Sequence, residues 1–149
     1  YGVDINRKMI DLTYIMGATL FTESIKDIEN KLDVIIDTTG IPQVIGDAYD
    51  KLAPSGRLIL VGQPAPGKSV ELPNAVSMFD GTGKSVKATQ GGGTIPHIDI
   101  PRYIDLASRG IISYEQLHTD TFTLDQVNDA FDLLKSGNAG RIMINIGEE

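Results

Sequence analysis

The sequence predicts an α/β fold built on a mostly parallel sheet, and three observations carry that expectation. Short apolar, β-branched runs alternate with stretches of helical apolar spacing; the runs are Leu32-Asp33-Val34-Ile35-Ile36-Asp37, Arg57-Leu58-Ile59-Leu60-Val61-Gly62 and Arg141-Ile142-Met143-Ile144-Asn145-Ile146. The second run is apolar at nearly every position, which suits a parallel strand covered on both faces. Glycine or proline punctuates the junctions between them. Strands that alternate with helices, rather than following one another, point to a parallel sheet.

Taken in order, Gly2-Val3-Asp4 reads as the end of a strand. An amphipathic helix is predicted from Asn6 to Met16, with Met9, Ile10, Leu12 and Met16 as its apolar residues, and Gly17 stops it. The strand Leu32–Asp37 ends at Thr38-Thr39-Gly40. A helix from Pro42 to Leu52 follows, with proline in the first turn, where its missing N–H costs nothing. After the strand Arg57–Gly62 and a proline-rich loop, Ser69 to Leu72 is expected to form a short strand and Ser85 to Gln90 another, ending at Gly91-Gly92-Gly93. Helices are predicted over Asp99–Ser108 and Thr123–Lys135. The second opens with a capping box, Thr123-Leu124-Asp125-Gln126, and carries the stripe Leu124, Val127, Phe131 and Leu134. Ser136-Gly137 closes it before the last strand. There is no internal repeat, low-complexity tract or linker.

With 149 residues the chain is the size of one domain, and 41% hydrophobic with 22% charged residues is a globular composition. A net charge of −7 argues against nucleic acid, whose binding rests on clustered Lys and Arg. No apolar run approaches the roughly 20 residues a bilayer needs. There is no cysteine, so disulfides, thiolate nucleophiles and cysteine-ligated zinc are excluded for these residues. The composition fits a cytoplasmic protein.

Several motifs invite chemistry. In a dinucleotide-binding βαβ unit, an acid at the end of the second strand accepts hydrogen bonds from the adenosine ribose, about 20 residues after a glycine fingerprint. Asp4 sits where such an acid would, although strand-end aspartates also serve as helix caps. Gly62-Gln63-Pro64-Ala65-Pro66-Gly67-Lys68-Ser69 matches the P-loop pattern literally. Pro64 and Pro66 remove two of the N–H donors such a loop needs, and Val70-Glu71-Leu72-Pro73 is a poor helix opening, so a stiffened surface loop is expected. His97 and His118 lie in no metal-ligand spacing. Asp99 and Asp105, and Asp125, Asp129 and Asp132, fall on predicted helices as solvated or capping groups. No Tyr-x-x-x-Lys pair occurs. Gly91-Gly92-Gly93 reads as a strand-to-loop turn, or as a place where a cofactor approaches the backbone.

Seen together, the blocks Gly2-Val3-Asp4-Ile5-Asn6 with Gly17-Ala18-Thr19, Asp33 to Gly40, Gly56 to Gly62, Ile100-Pro101, Phe122-Thr123-Leu124, Asn128-Asp129-Ala130-Phe131 and Ser136-Gly137 before Arg141 stand in a telling order. Over essentially the whole chain they resemble the C-terminal, NAD-binding part of the medium-chain, zinc-dependent alcohol dehydrogenase family. The resemblance implies a Rossmann-like, doubly wound, mostly parallel sheet. It implies further that residues 1–149 are a single incomplete dinucleotide-binding domain, truncated so that the first strand and the glycine fingerprint are absent.

The resemblance also implies roles. Asp4 would bind the adenosine ribose, with Ile5 and Arg7 beside the adenine and its ribose. Thr38, Thr39 and Gly40 would pass along the cofactor's middle, and Val61, Gly62 and Gln63 would line the nicotinamide end. Thr89 and Gly91 would offer backbone contacts to the carboxamide, and Arg141 would reach the pyrophosphate. NAD is favoured over NADP, because an acid at position 4 repels a 2′-phosphate. Neither catalytic residues nor zinc ligands are expected in this stretch; zinc belongs to the family's separate catalytic domain. The expected function is therefore cofactor binding for an NAD-dependent alcohol or polyol dehydrogenase, inactive as the chain stands. The alternative is a non-catalytic nucleotide-binding or oligomerisation module. A homo-oligomer, such as a dimer, is expected to form through Ser69–Leu72 or through sheet edges left open.

Overall fold

The computed structural model describes residues 1–79 and 83–147. They form two compact units, one of residues 1–5 and 18–94, the other of residues 6–17 and 95–149.

In the first unit, β1 (Gly2–Val3) pairs in parallel with β2 (Phe21–Thr22). A second sheet holds β3 (Leu32–Asp37), β4 (Leu52–Leu60) and β5 (Ser85–Ala88), in that order and all parallel. The register sets Ile35 beside Leu58 and Leu58 beside Val86. Between β3 and β4 the chain crosses over through α2 (Pro42–Lys51), with proline at its start as expected. This helix lays Ile45, Ala48 and Tyr49 onto Ile35 and Leu58, with Ile25, Ile28 and Leu52 completing the core. Full burial of each such side chain contributes roughly 1.5–3 kcal/mol, so this cluster fixes the helix on the sheet. The Tyr49 hydroxyl reaches the Ser77 hydroxyl at 3.5 Å, and the Lys84 ammonium lies 5.0 Å from the centre of its ring.

Some expectations need correction. β4 begins at Leu52, before Arg57, because the chain adds a bulge: between the pairs Leu32–Leu52 and Val34–Arg57 the register shifts, and Ser55 takes a positive φ of 62°. Ser69 to Leu72 is not a strand. Val70 and Leu72 instead pack on the core, and the Glu71 carbonyl crosses α2 so closely that a Cβ on Gly46 would meet it at 2.7 Å. Within the first unit, α2 and the core cover one face of the β3–β5 sheet. Its core residues share one face, while Val34 and Ile36 are 46% and 63% exposed. β1 and β3 belong to different sheets, and Tyr1, Val3, Leu32, Val34 and Ile36 line a cavity of about 110 Å³ there.

The second unit opens with a short 3₁₀ turn over Arg7–Met9, capped by the Asn6 side chain, which runs into α1 (Ile10–Ile15). Gly17, at φ 94°, ends it. α3 (Pro96–Ser108) starts three residues before the expected Asp99. Its Asp99 carboxylate accepts the Ile95 N–H at 2.7 Å, so the acid caps the helix from inside its first turn. β6 (His118–Thr123) pairs in parallel with β7 (Arg141–Asn145). Between them the capping box at Thr123 forms as read, with Gln126 accepting the Thr123 N–H at 3.1 Å, and α4 (Val127–Lys135) follows. The stripe packs less deeply than its spacing suggests. Ala130 is buried, but Phe131 and Leu134 stay half exposed over Ile142 and Ile144.

Leu58 is fully buried where α2 meets the sheet, so Leu58→Ala is expected to lower unfolding stability by about 2–5 kcal/mol in urea denaturation. Ile146, 82% exposed, should cost less than about 0.5 kcal/mol when changed to Ala.

Candidate functional site

Of the residues singled out in the first unit, Thr38, Thr39, Gly40, Val61, Gly62, Gln63 and Thr89 lie at the carboxyl ends of β3, β4 and β5. There β3 turns through Asp37-Thr38-Thr39-Gly40 into α2, and β4 runs out through Val61-Gly62-Gln63. These two segments meet backbone to backbone. A Cβ on Gly40 would fall 2.5 Å from the Gln63 carbonyl oxygen, and one on Gly62 would fall 2.6 Å from the Thr38 carbonyl carbon and 2.7 Å from the Thr39 nitrogen. Gly40 also needs its φ of 64°. Two glycines are thus required by space, one of them by conformation as well.

Hydrogen bonds hold the crest. The Asp37 carbonyl accepts the N–H groups of Val61 and Gly62 at 2.8 and 2.9 Å, and the Leu60 carbonyl accepts the Thr89 N–H at 2.9 Å. The Asp37 carboxylate, 4% exposed, accepts from the Thr39 hydroxyl at 2.7 Å, the Thr39 N–H at 3.2 Å and the Gly40 N–H at 3.0 Å. In front of this scaffold Val61, Gly62, Gln63, Pro64, Thr89 and Gln90 border a cleft of about 320 Å³. That size lies at the small end of ligand pockets. Its position, outside the carboxyl ends of parallel strands, is where open α/β sheets take ligands.

Four of the expected residues, Val61, Gly62, Gln63 and Thr89, therefore share one cleft, with Thr38, Thr39 and Gly40 forming the abutting turn. Gly91 follows the cleft in a tight turn where Gly91, Gly92 and Gly93 all have positive φ, so conformation, not crowding, calls for glycine there. Asp4 and Ile5 follow directly on β1. The Asp4 N–H donates to the Thr22 carbonyl at 3.1 Å, and Ile5 is 85% exposed. Arg7 and Arg141 lie in the second unit. Arg141, the first residue of β7, lines a groove there with Tyr114, His118 and Asn145.

Asp37, Pro64 and Gln90 were not among the expected site residues. An acid closing a strand, two residues before a Thr and three before a Gly, was the available signal for Asp37. The P-loop pattern behaves as its prolines foretold, because Pro66-Gly67 makes a turn and the residues after Lys68 are not helical. His118 directs Nε2 to the Asp120 carbonyl and the Thr121 hydroxyl at 3.1 and 2.9 Å. Among the described residues no three His, Cys, Asp or Glu side chains are grouped to hold a metal ion. Zinc is thus not fitted by them. No helix among the described residues is long and apolar enough to cross a membrane.

No protein-family model matches the chain. Among curated proteins it is similar to a geraniol dehydrogenase of Castellaniella defragrans, 34% identical over 106 residues that make up 70% of this chain and 27% of that protein. It is also similar to an alcohol dehydrogenase 1 of Tanacetum cinerariifolium, 27% identical over 158 residues, 97% of this chain and 41% of that protein. The chain thus spans about two-fifths, or less, of the length of these relatives. Among solved structures, an alcohol dehydrogenase zinc-binding domain protein from Burkholderia ambifaria superposes with a TM-score of 0.88 at 23% identity, over 98% of this chain and 41% of that one. At a TM-score of 0.75, neighbours include an E. coli alcohol dehydrogenase complexed with NADH and a Sinorhizobium meliloti zinc-binding dehydrogenase bound to NADP. The fold is accordingly the Rossmann-like one of alcohol dehydrogenases, with mostly parallel strands in open sheets.

The crowding at the crest can be read separately from glycine's conformational freedom. Gly67 has a φ of 78° with open space around it, whereas Gly40 has a similar φ against the Gln63 backbone. Gly67→Ala should cost about 1–2 kcal/mol from φ alone. Gly40→Ala should cost about 1–3 kcal/mol more from overpacking, measured as the difference in unfolding free energy.

Proposed function

From the homology of this chain to the C-terminal, NAD-binding part of the medium-chain, zinc-dependent alcohol dehydrogenases, we infer that it binds the dinucleotide of an NAD-dependent alcohol or polyol dehydrogenase. The observation that carries this reading is the glycine-locked crest and its cleft at the carboxyl ends of β3–β5. When bound, the nicotinamide supplies the site that accepts or returns a hydride. This chain's own residues bind and orient it. Val61, Gly62, Gln63 and Thr89 form the walls at the nicotinamide end, and the turn Thr38–Gly40 runs beside the middle of the cofactor. Asp4, at the end of β1, accepts the two adenosine ribose hydroxyls. A carboxylate there repels a 2′-phosphate, which is the reason for NAD rather than NADP.

Catalysis by the 149 residues alone is not part of this reading. Alcohol oxidation in the resembled family needs a metal to polarise the oxygen, and this sequence has no cysteine and only two histidines, His97 and His118, in no metal-ligand spacing. For these 149 residues taken alone, affinity for the cofactor is expected to be weak, because they carry no fingerprint glycines to place a helix N-terminus against the pyrophosphate. Self-association is part of the proposal too. β1 pairs with β2 and β3 pairs with β4 in separate sheets, and strand edges left unpaired seek partners.

Asp4→Asn is expected to weaken NADH binding roughly tenfold or more, the scale of a lost charge-assisted hydrogen bond, and to narrow the preference over NADPH. An unchanged NADH-to-NADPH affinity ratio would remove Asp4 from the site. The purified chain with zinc, alcohol and NAD should produce no NADH absorbance, and appreciable turnover would refute its inactivity. Light scattering on a sizing column should report a dimer or larger species; a monomer at high concentration would rule out edge pairing.

A further inference from the structure

Resting on the cofactor reading above, we propose that Asp37 is the positioning residue of the site: its buried carboxylate and its own carbonyl hold both walls of the crest in place without touching the ligand. Asp37 is the last residue of β3 and the buried charged residue among those described. Burying a carboxylate is costly unless hydrogen bonds replace its water. Here they do, and each is spent on the crest. Oδ1 accepts from the hydroxyl and the N–H of Thr39, and Oδ2 accepts from the Gly40 N–H. The main-chain carbonyl of the same residue accepts from Val61 and Gly62. One residue therefore ties the turn 38–40 to the outgoing end of β4.

The tie continues into the helix. The Thr39 hydroxyl, while donating to Asp37, accepts the Ile41 N–H at 3.0 Å, and Ile41 is the residue before the first turn of α2. Asp37 thereby sets the level at which the turn leaves the sheet, and with it the depth of the cleft floor at Gly62. The chemistry discriminates against close substitutes. Asparagine keeps an oxygen for Thr39 but turns an NH₂ donor toward the Gly40 N–H, and two donors face each other. Alanine removes the acceptors altogether, and serine leaves one hydroxyl oxygen on a shorter side chain in place of two carboxylate oxygens.

The test compares the whole chain with Asp37→Asn and with Ile45→Val, a core change in α2 that lowers stability without touching the crest. NADH affinity is read by NADH fluorescence, free of tryptophan background because the chain contains none. Amide exchange at Gly40 and Gly62 is read by NMR. Asp37→Asn is expected to weaken NADH roughly tenfold and to speed exchange at both glycines by a similar factor, the scale of one charge-assisted hydrogen bond. Ile45→Val should do neither beyond its effect on global unfolding. Unchanged exchange in Asp37→Asn overturns the clamp, and faster exchange with unchanged NADH affinity overturns the positioning role. If the unsubstituted chain shows no NADH binding at all, the cofactor reading fails while the exchange rates still decide the clamp. Should Asp37→Asn not fold, Thr39→Val removes one leg of the same clamp, and amide exchange at Gly40 and Gly62 alone decides the clamp, because Thr39 itself runs beside the cofactor.

Discussion

Everything at the carboxyl end of the central sheet depends on two backbones meeting with no side chain between them. β3 and β4 are parallel neighbours, so their chains leave the sheet at the same level and in the same direction. At Gly40 and Gly62 they come so close that a single methyl group would collide with main-chain atoms that cannot swing away. The hydrogen bonds from Val61 and Gly62 to Asp37 exist because of that approach. The cleft beside Thr89 is what remains in front of it. A crest made this way is smooth and already hydrogen-bonded within itself. It suits a ligand recognised by shape along its length more than one gripped by many donors.

The core beneath the crest serves the same end. Tyr49, Ile45 and Leu58 are fully buried and fasten α2 across β3 and β4, so the turn at its start has little freedom to shift. By contrast Val34 and Ile36 on the far face of β3 remain substantially exposed. The first unit is thus firm on the side that shapes the crest and bare on the other. A bare, partly apolar face beside unpaired strand edges is an arrangement that favours association. In the proposed function the tendency to self-associate follows from these open edges, whereas weak dinucleotide binding by these 149 residues follows from the lack of fingerprint contacts to the pyrophosphate.

How much of this could be read from the residues alone varied with the kind of signal. β3 was predicted over Leu32–Asp37 and is found there, because a continuous β-branched run between turn residues leaves little choice. The Pro42 helix start and the Thr123 capping box are local stereochemistry and also appear as read. β6 has no strand signature in the sequence because His118-Thr119-Asp120-Thr121-Phe122-Thr123 is polar and threonine-rich, and only its pairing with β7 makes it a strand. Ser69–Leu72 failed the opposite way: its pattern permits a strand, but its residues pack onto the core without a partner edge. At the site, the residues flagged at the ends of β3 and β4 do come together, since the resemblance depends on the same strand ends. Asp37 is not legible in the sequence as a site residue because its hydrogen bonds lie behind the surface, where no spacing rule records them.

The most direct measurement is chemical-shift mapping of the isotopically labelled chain as NADH is added. On this account the perturbed amides cluster at Thr38–Gly40, Val61–Gln63 and Thr89, with Asp4 and Ile5 responding at the adenosine end. Shifts centred instead on the separate pocket between Gln43 and Glu71, or no shifts at millimolar NADH, would contradict it.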